Sequence, residues 1–190
     1  MDAMRILHSK QELHDGVQRM AAEIAQAYGE RPLSIVSVLT GSVVLVADLI
    51  RELEMPLRVG VIEASSYGGE RTTRGDLSVN AELMFDIKGR DVLLVDDIFD
   101  TGHTLVRVIE KIKEFGPRSV RSAVLLRKHG RQEVTAQPDF VAFEIPDEFV
   151  VGYGLDYDDH YRNLPYLGVL EQDDLDRHKD LVAAGTDPGA

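Results

Sequence analysis

The feature that most restricts this chain is DVLLVD (91–96), an apolar run that ends in two adjacent carboxylates, Asp96 and Asp97. A run without a polar face fits a strand covered on both sides, as in a parallel sheet flanked by helices. A half-exposed strand would alternate instead. Two acids side by side at the end of such a strand repel each other, and burial makes their charges costly. A third acid, Asp100, follows. Then come Thr101-Gly102-His103-Thr104 and a helical pattern from about Gly102 to Phe115, with Gly116-Pro117 as its stop.

The rest of the chain repeats this alternation. Leu13, Val17, Met20 and Ile24 fall at helical spacing before Gly29. LSIVSVL (33–39) reads as a buried strand, Thr40-Gly41-Ser42 as a tight connection and VVLVADLIREL (43–53) as a helix. LRVGVIEA (57–64) is the next strand. SSYGGERTTRGD (65–76) is a loop long enough to have a function of its own. LSVNAEL (77–83), SVRSAVLL (119–126), FVAFEI (140–145), FVVGYGL (149–155) and YLGVL (166–170) read as further strands. The order predicts an α/β fold with a mainly parallel sheet flanked by helices. With 190 residues and no visible repeat or linker, one domain is expected over 1–190. The polar, small-residue ending, about 173–190, is expected to fray.

Composition excludes several function classes. The net charge of −12 argues against a nonspecific nucleic-acid binder, which needs clustered Lys and Arg. No run of about 18 apolar residues exists, so no membrane span is expected. The first fifteen residues carry no secretory pattern. The absence of cysteine removes disulfides, thiolate zinc sites and cysteine nucleophiles, and fits a cytoplasmic setting. The six histidines show no metal-ligand spacing, so no zinc site is assigned.

In open parallel sheets ligands bind beyond the carboxyl ends of the strands. A turn into a helix N-terminus offers free N–H groups and a partial positive charge, which suit a phosphate. Gly102 lets the backbone approach, Thr101 and Thr104 add hydroxyls, and Asp96 and Asp97 can accept from sugar hydroxyls. The chemistry points to a ribose 5-phosphate. A plainer reading is that Asp100 or Thr101 caps the helix, but that leaves the other acids unexplained. Neither GxxxxGK[ST] nor GxGxxG after a strand occurs, which argues against a P-loop and a dinucleotide fold.

VLLVDDIFDTGHTL (92–105) resembles the phosphoribosyl pyrophosphate (PRPP) signature of type I phosphoribosyltransferases. VLTGSVVLVADL (38–49), SSYGG (65–69) and FEIPDEFVVGYGLDYDDHYRNLPYLGVL (143–170) resemble the hypoxanthine-guanine phosphoribosyltransferase group of that family, and the likeness runs from about residue 5 to 171. It implies a core over about 30–130, a small hood from about 1–12 and 138–172, and a mobile lid loop. It further implies Mg2+ as cofactor, PRPP and a 6-oxopurine as substrates, no nucleic-acid or membrane partner, and a homodimer or homotetramer.

Residue roles carry over by position. Asp96 and Asp97 match acids beside the ribose hydroxyls and their magnesium. Asp100 matches the acid/base near purine N7. Thr101, Gly102, His103 and Thr104 match the 5′-phosphate loop. Leu39, Thr40 and Gly41 match the pyrophosphate loop, with a cis peptide before Thr40. Ser66 and Tyr67 match the catalytic serine-tyrosine pair of the lid. Lys128 matches the lysine that contacts the purine's exocyclic oxygen. Phe149 matches the residue stacked on the base, and Val150 offers it backbone contacts. Asp156 lines the purine region and matches a second magnesium ligand. Arg162 matches a pyrophosphate-binding arginine. Thr40 and His103 stand where some relatives carry a fixed positive charge, while backbone amides do most of the phosphate binding.

Taken singly, these residues have plainer readings. Tyr67 reads as a surface tyrosine, Lys128 as a solvated strand-end lysine, Phe149 as core and Arg162 as a surface partner of nearby acids. Two rival functions also stand at this level. One is a phosphoribosyltransferase for another base, xanthine above all. The other is a non-catalytic PRPP or nucleotide sensor that binds RNA and would want a basic face.

Overall fold

The computed structural model describes residues 4–66, 77–80 and 85–171. Along the chain the elements are β1 (Arg5–His8), α1 (Lys10–Tyr28), β2 (Leu33–Leu39), α2 (Val43–Leu49), β3 (Leu57–Ser66), β4 (Leu77–Asn80), β5 (Asp91–Phe99), α3 (His103–Lys113), β6 (Ser119–Lys128), β7 (Phe140–Ile145), β8 (Val150–Val151) and β9 (Leu167–Val169).

The apolar strand runs assemble one sheet in the order β4-β3-β2-β5-β6-β7. Pairing is parallel throughout except for the antiparallel β4 at one edge. Apolar side chains cover both faces, as a run without alternation requires. On one face Leu13, Val17, Met20 and Ile24 of α1 and Leu45 and Leu49 of α2 pack on Leu33, Ile35, Leu93 and Leu125. On the other, Leu105, Val108 and Ile112 of α3 pack on Val36, Val92, Leu94 and Val124. Helix α1 starts where the sequence supplies a capping box: the Ser9 hydroxyl accepts from the Glu12 N–H, and the Glu12 carboxylate accepts from the Ser9 N–H. A second, antiparallel sheet in the order β1-β9-β8 joins the first strand to the last.

Several expectations are corrected in detail. The strand expected to end at Asp96 continues to Phe99, so both acids lie within β5. The helix expected over 43–53 stops at Leu49. The segment 149–155 supplies only the two residues of β8. The segment from 138 was expected in the hood, but its first element, β7, is the edge strand of the large sheet, and the small sheet takes up the chain again at β8. The strand β1 was not read from sequence as a strand.

Strand order places the site. From β2 the chain moves to β3 on one side, then crosses to β5 on the other, so the switch point lies between β2 and β5. These two strands pair from Leu33–Asp91 to Ser37–Val95. Beyond that register β2 stays with β3 as far as Leu39–Glu63, while β5 stays with β6 as far as Phe99–Arg127. A cleft opens where they part.

Candidate active site

The carboxyl ends of β2 and β5 and the turn into α3 line a cleft of about 300 Å³. Leu39, Thr40, Gly41, Asp96, Asp97, Asp100, Thr101, Gly102, Thr104, Asp156 and Arg162 all face it. Residues separated by more than a hundred positions therefore meet in one place.

Asp96 is buried and accepts a 3.0 Å hydrogen bond from the Asp97 N–H. Burial first, then the neighbouring Asp97 charge, pushes its carboxyl well above the ordinary carboxylate range. Asp97 is also raised, chiefly by burial, against the opposing pull of hydrogen bonds from Asp96 and Ile98 and the charge of Arg162. Its Oδ1 accepts from the Ile98 N–H at 2.7 Å. Among the described residues no Lys or Arg is paired with Asp96. The pair is thus an anionic corner short of positive charge.

Gly41 packs directly on this corner. A Cβ there would lie 1.6 Å from Oδ2 of Asp97. The peptide between Leu39 and Thr40 is cis, as the resemblance implied. On the opposite wall, α3 begins at Gly102, whose φ of 89° is left-handed. No side chain caps this helix end, so neither Asp100 nor Thr101 serves as its cap. The first-turn N–H groups have no helical acceptor, and Gly102, Thr104 and Leu105 line the cleft. Gly102 has no room for a side chain either: a Cβ would meet Phe99 at 2.8 Å and Val134 at 2.4 Å. His103 is exposed and pairs with Glu133 at 2.8 Å.

Asp100 sits at the junction with a second group. Lys128 Nζ lies 3.5 Å from Asp100 and 3.4 Å from Asp147, and Arg131 Nε donates to Asp100 at 3.0 Å. Lys128 is buried, so it is not a solvated strand-end lysine. Phe149 is 44% exposed, which removes its reading as core. Its ring meets Tyr157 edge-on with centroids 5.4 Å apart. Val150 is buried in β8 beside it. Phe149 presents an exposed ring two residues after Asp147, which the buried Lys128 ammonium approaches at 3.4 Å, a combination suited to a flat polar heterocycle.

Arg162 spans the remaining wall. Its guanidinium donates to the Gly154 carbonyl at 2.9 Å and pairs with Asp156 at 2.9 Å and Asp159 at 3.0 Å. Asp156 also accepts from the Asp159 N–H at 2.9 Å. Arg162 does pair with nearby acids, as its plainer reading held, yet it also faces the cleft.

Ser66 closes β3; Tyr67 and the rest of the loop 67–76 lie outside the described residues, as does the tail 172–190. Arg131, Asp147 and Tyr157 were not singled out from sequence. Arg131 and Asp147 carry no local signal, because only the pairing of β6 with β7 brings the segments after those strands together. Tyr157 sits inside the quoted 143–170 stretch and could have been noticed as a second aromatic near Phe149.

A family model for the phosphoribosyl transferase domain matches residues 5–158. Hypoxanthine phosphoribosyltransferase of Haemophilus influenzae is 40% identical over 172 residues, covering 88% of this chain and 96% of that protein. Hypoxanthine-guanine phosphoribosyltransferase of Bacillus subtilis is 38% identical over 171 residues, covering 90% and 94%. The structure of Trypanosoma cruzi hypoxanthine phosphoribosyl transferase superposes with a TM-score of 0.87 at 35% identity, covering 95% of this chain and 98% of the other. With its acids and glycine turn gathered at the switch point of the sheet, the chain belongs to the phosphoribosyltransferase family, in the group of the hypoxanthine-guanine phosphoribosyltransferases.

Proposed function

We propose that the chain transfers the 5-phosphoribosyl group of PRPP to N9 of hypoxanthine or guanine, giving IMP or GMP and pyrophosphate. One observation carries this reading: Asp100 stands between the uncapped N-terminus of α3 and the buried Lys128, 3.5 Å away. A phosphate in the turn and an oxopurine on Lys128 then meet at a single carboxylate.

The 5′-phosphate takes the N–H groups of the turn and the hydroxyls of Thr101 and Thr104. Asp96 and Asp97 accept from the ribose diol and, in their ionised form, favour the cationic sugar that forms as the anomeric bond breaks. Arg162 and the Gly41 backbone receive the leaving pyrophosphate. Lys128 donates to the exocyclic oxygen of the base, and Phe149 stacks on its face. Asp100 accepts the proton that the purine must lose. Ser66 and Tyr67 take the catalytic role that the resemblance implies for them, keeping water from the reacting centre.

Magnesium fits the same corner. Asp96 and Asp97 offer hard oxygen atoms with no paired cation on Asp96. Among the described residues no cluster of three or more carboxylate or imidazole groups could hold a metal by itself. That suits an ion that keeps several waters and takes the rest of its shell from substrate oxygens. Asp156 is the second candidate ligand at the cleft rim. The bound ion supplies charge neutralisation to the leaving diphosphate. A cytoplasmic setting and a homodimer or homotetramer complete the proposal, the latter checked by sedimentation.

The test is steady-state turnover with PRPP and magnesium, offering hypoxanthine, guanine, xanthine and adenine separately. IMP or GMP formation is the expected result. Turnover with xanthine or adenine alone would relocate the error to the pocket of Lys128 and Val150. PRPP binding without turnover on any base would make the cleft a sensor.

A further inference from the structure

Behind the cleft lies a larger cavity of about 740 Å³ between α1, α2 and the segment 153–165. It holds none of the acids of β5 and shares only Arg162 with the cleft. On its wall one contact joins distant parts of the chain: the Tyr153 hydroxyl donates to the carboxylate of Asp48 on α2. Tyr153 is buried, and its φ of 50° is left-handed, a conformation that costs a non-glycine residue energy and persists only when its surroundings hold it. Burial first, then the Asp48 carboxylate as acceptor, raises the Tyr153 hydroxyl far above its ordinary value, so it keeps its proton and acts as a donor.

What Tyr153 holds is the wall of the active site. The next residue, Gly154, has φ 102° and lies so close to the pyrophosphate loop that a Cβ would fall 2.1 Å from the Gly41 carbonyl oxygen. The Gly154 carbonyl receives Arg162 Nη1 at 2.9 Å, and the Gly154 N–H donates to the Arg162 carbonyl at 3.0 Å. The Tyr153 N–H donates to the Leu164 carbonyl at 2.8 Å, fixing the other side of the same arch. Gly41 in turn touches Asp97. A displacement of Tyr153 therefore moves Gly154, and with it both groups assigned to the pyrophosphate.

We propose that Tyr153, anchored by Asp48, is a positioning residue that sets the pyrophosphate-binding geometry of Gly41 and Arg162. Neither residue lines the cleft, and the inference rests on the PRPP chemistry proposed above.

The experiment compares Tyr153→Phe, Asp48→Ala and Asp48→Asn with the wild type in full-length enzyme, reading KM for PRPP, KM for hypoxanthine and kcat. Loss of this part-buried hydrogen bond to a charged group is expected to raise the KM for PRPP about tenfold in Tyr153→Phe and Asp48→Ala, with the KM for hypoxanthine unchanged. Asp48→Asn keeps an acceptor and is expected to restore most of the affinity. The double variant Tyr153→Phe/Asp48→Ala should be no worse than either single one. An equal rise in both KM values, or an unchanged KM for PRPP, overturns the positioning role. If Tyr153→Phe does not fold, the contrast between Asp48→Ala and Asp48→Asn decides the question alone. Absence of turnover by the wild type overturns the proposed activity and this inference with it, whereas an active wild type with unaltered variants overturns only this inference.

Discussion

The two ends of β5 carry buried carboxylates and treat them in opposite ways. At its start, Asp91 is 1% exposed in its side chain and surrounded by donors. Arg118 grips it with two nitrogens, Ser119 Oγ donates at 2.6 Å, and Arg31 lies 3.4 Å away. The Arg118 hydrogen bonds, more than any other cause, bring its carboxyl down to about 2. Near the other end, Asp96 is also buried, has a second acid as neighbour, and is pushed up. The comparison separates a carboxylate the fold completes from one it leaves incomplete. Asp91 ties the amino ends of β5 and β6 together and asks nothing of a ligand. Asp96 and Asp97 hold an electrostatic debt that positively charged or hydroxyl-bearing substrate groups can relieve.

Substitution at the two ends should therefore divide activity from stability. Asp100→Asn is expected to lower kcat about 100-fold or more, the usual weight of a positioned acid/base, with a stability cost of no more than about 1 kcal/mol because Lys128 and Arg131 keep Asp147 as a partner. Asp91→Ala should do the reverse, costing about 2 kcal/mol of stability while both KM values stay as they are. A kinetic defect in Asp91→Ala would break the comparison.

Gly41→Ala sharpens it, because the added Cβ must displace Asp97 or the loop. We expect roughly a tenfold loss in kcat/KM, read with PRPP as the varied substrate, and little change in thermal midpoint. Asp96→Asn removes one of two buried like charges yet keeps the acceptor for the Asp97 N–H. It should slow turnover and raise stability by about 1 kcal/mol in urea melts. A destabilised Asp96→Asn would mean that the corner is not strained.

The last contrast is in pH. Asp91 titrates near 2 when folded, against 3.8 ordinarily. Its contribution is therefore fully present above the unfolded value and is lost as pH falls from 3.8 towards 2. The wild type should lose on the order of 1–2 kcal/mol more than Asp91→Asn between about pH 5 and about pH 2. Parallel stability curves for the two proteins would remove Asp91 as the anchor.

Much of this was legible in the sequence because it depends on near neighbours. β2 spans the predicted residues 33–39 and β7 the predicted 140–145, since β-branched and aromatic residues are concentrated within those bounds. The Ser9 and Glu12 capping box and the Gly29 stop bound α1 locally. The acids and Gly102 were recognisable as a ligand turn from residues within eight positions.

Tertiary structure decided what local pattern could not carry. β5 runs past its acids to Phe99 because β6 continues alongside it, not because Asp favours strands. β1 is a strand only because β9 lies beside it, and RILH has no alternation to announce it. Arg131 beside Asp100 and Tyr153 on Asp48 are contacts over 31 and 105 positions. The sequence by itself determined the apolar face of α1 and the strands covered on both sides, and marked the turn at Gly102 as a candidate for an anion, through periodicity and backbone chemistry that act within a few residues. Only the folded sheet decided which end of β5 would be neutralised by arginines and which left for a ligand, because that depends on strand order and on charges brought in from elsewhere in the chain.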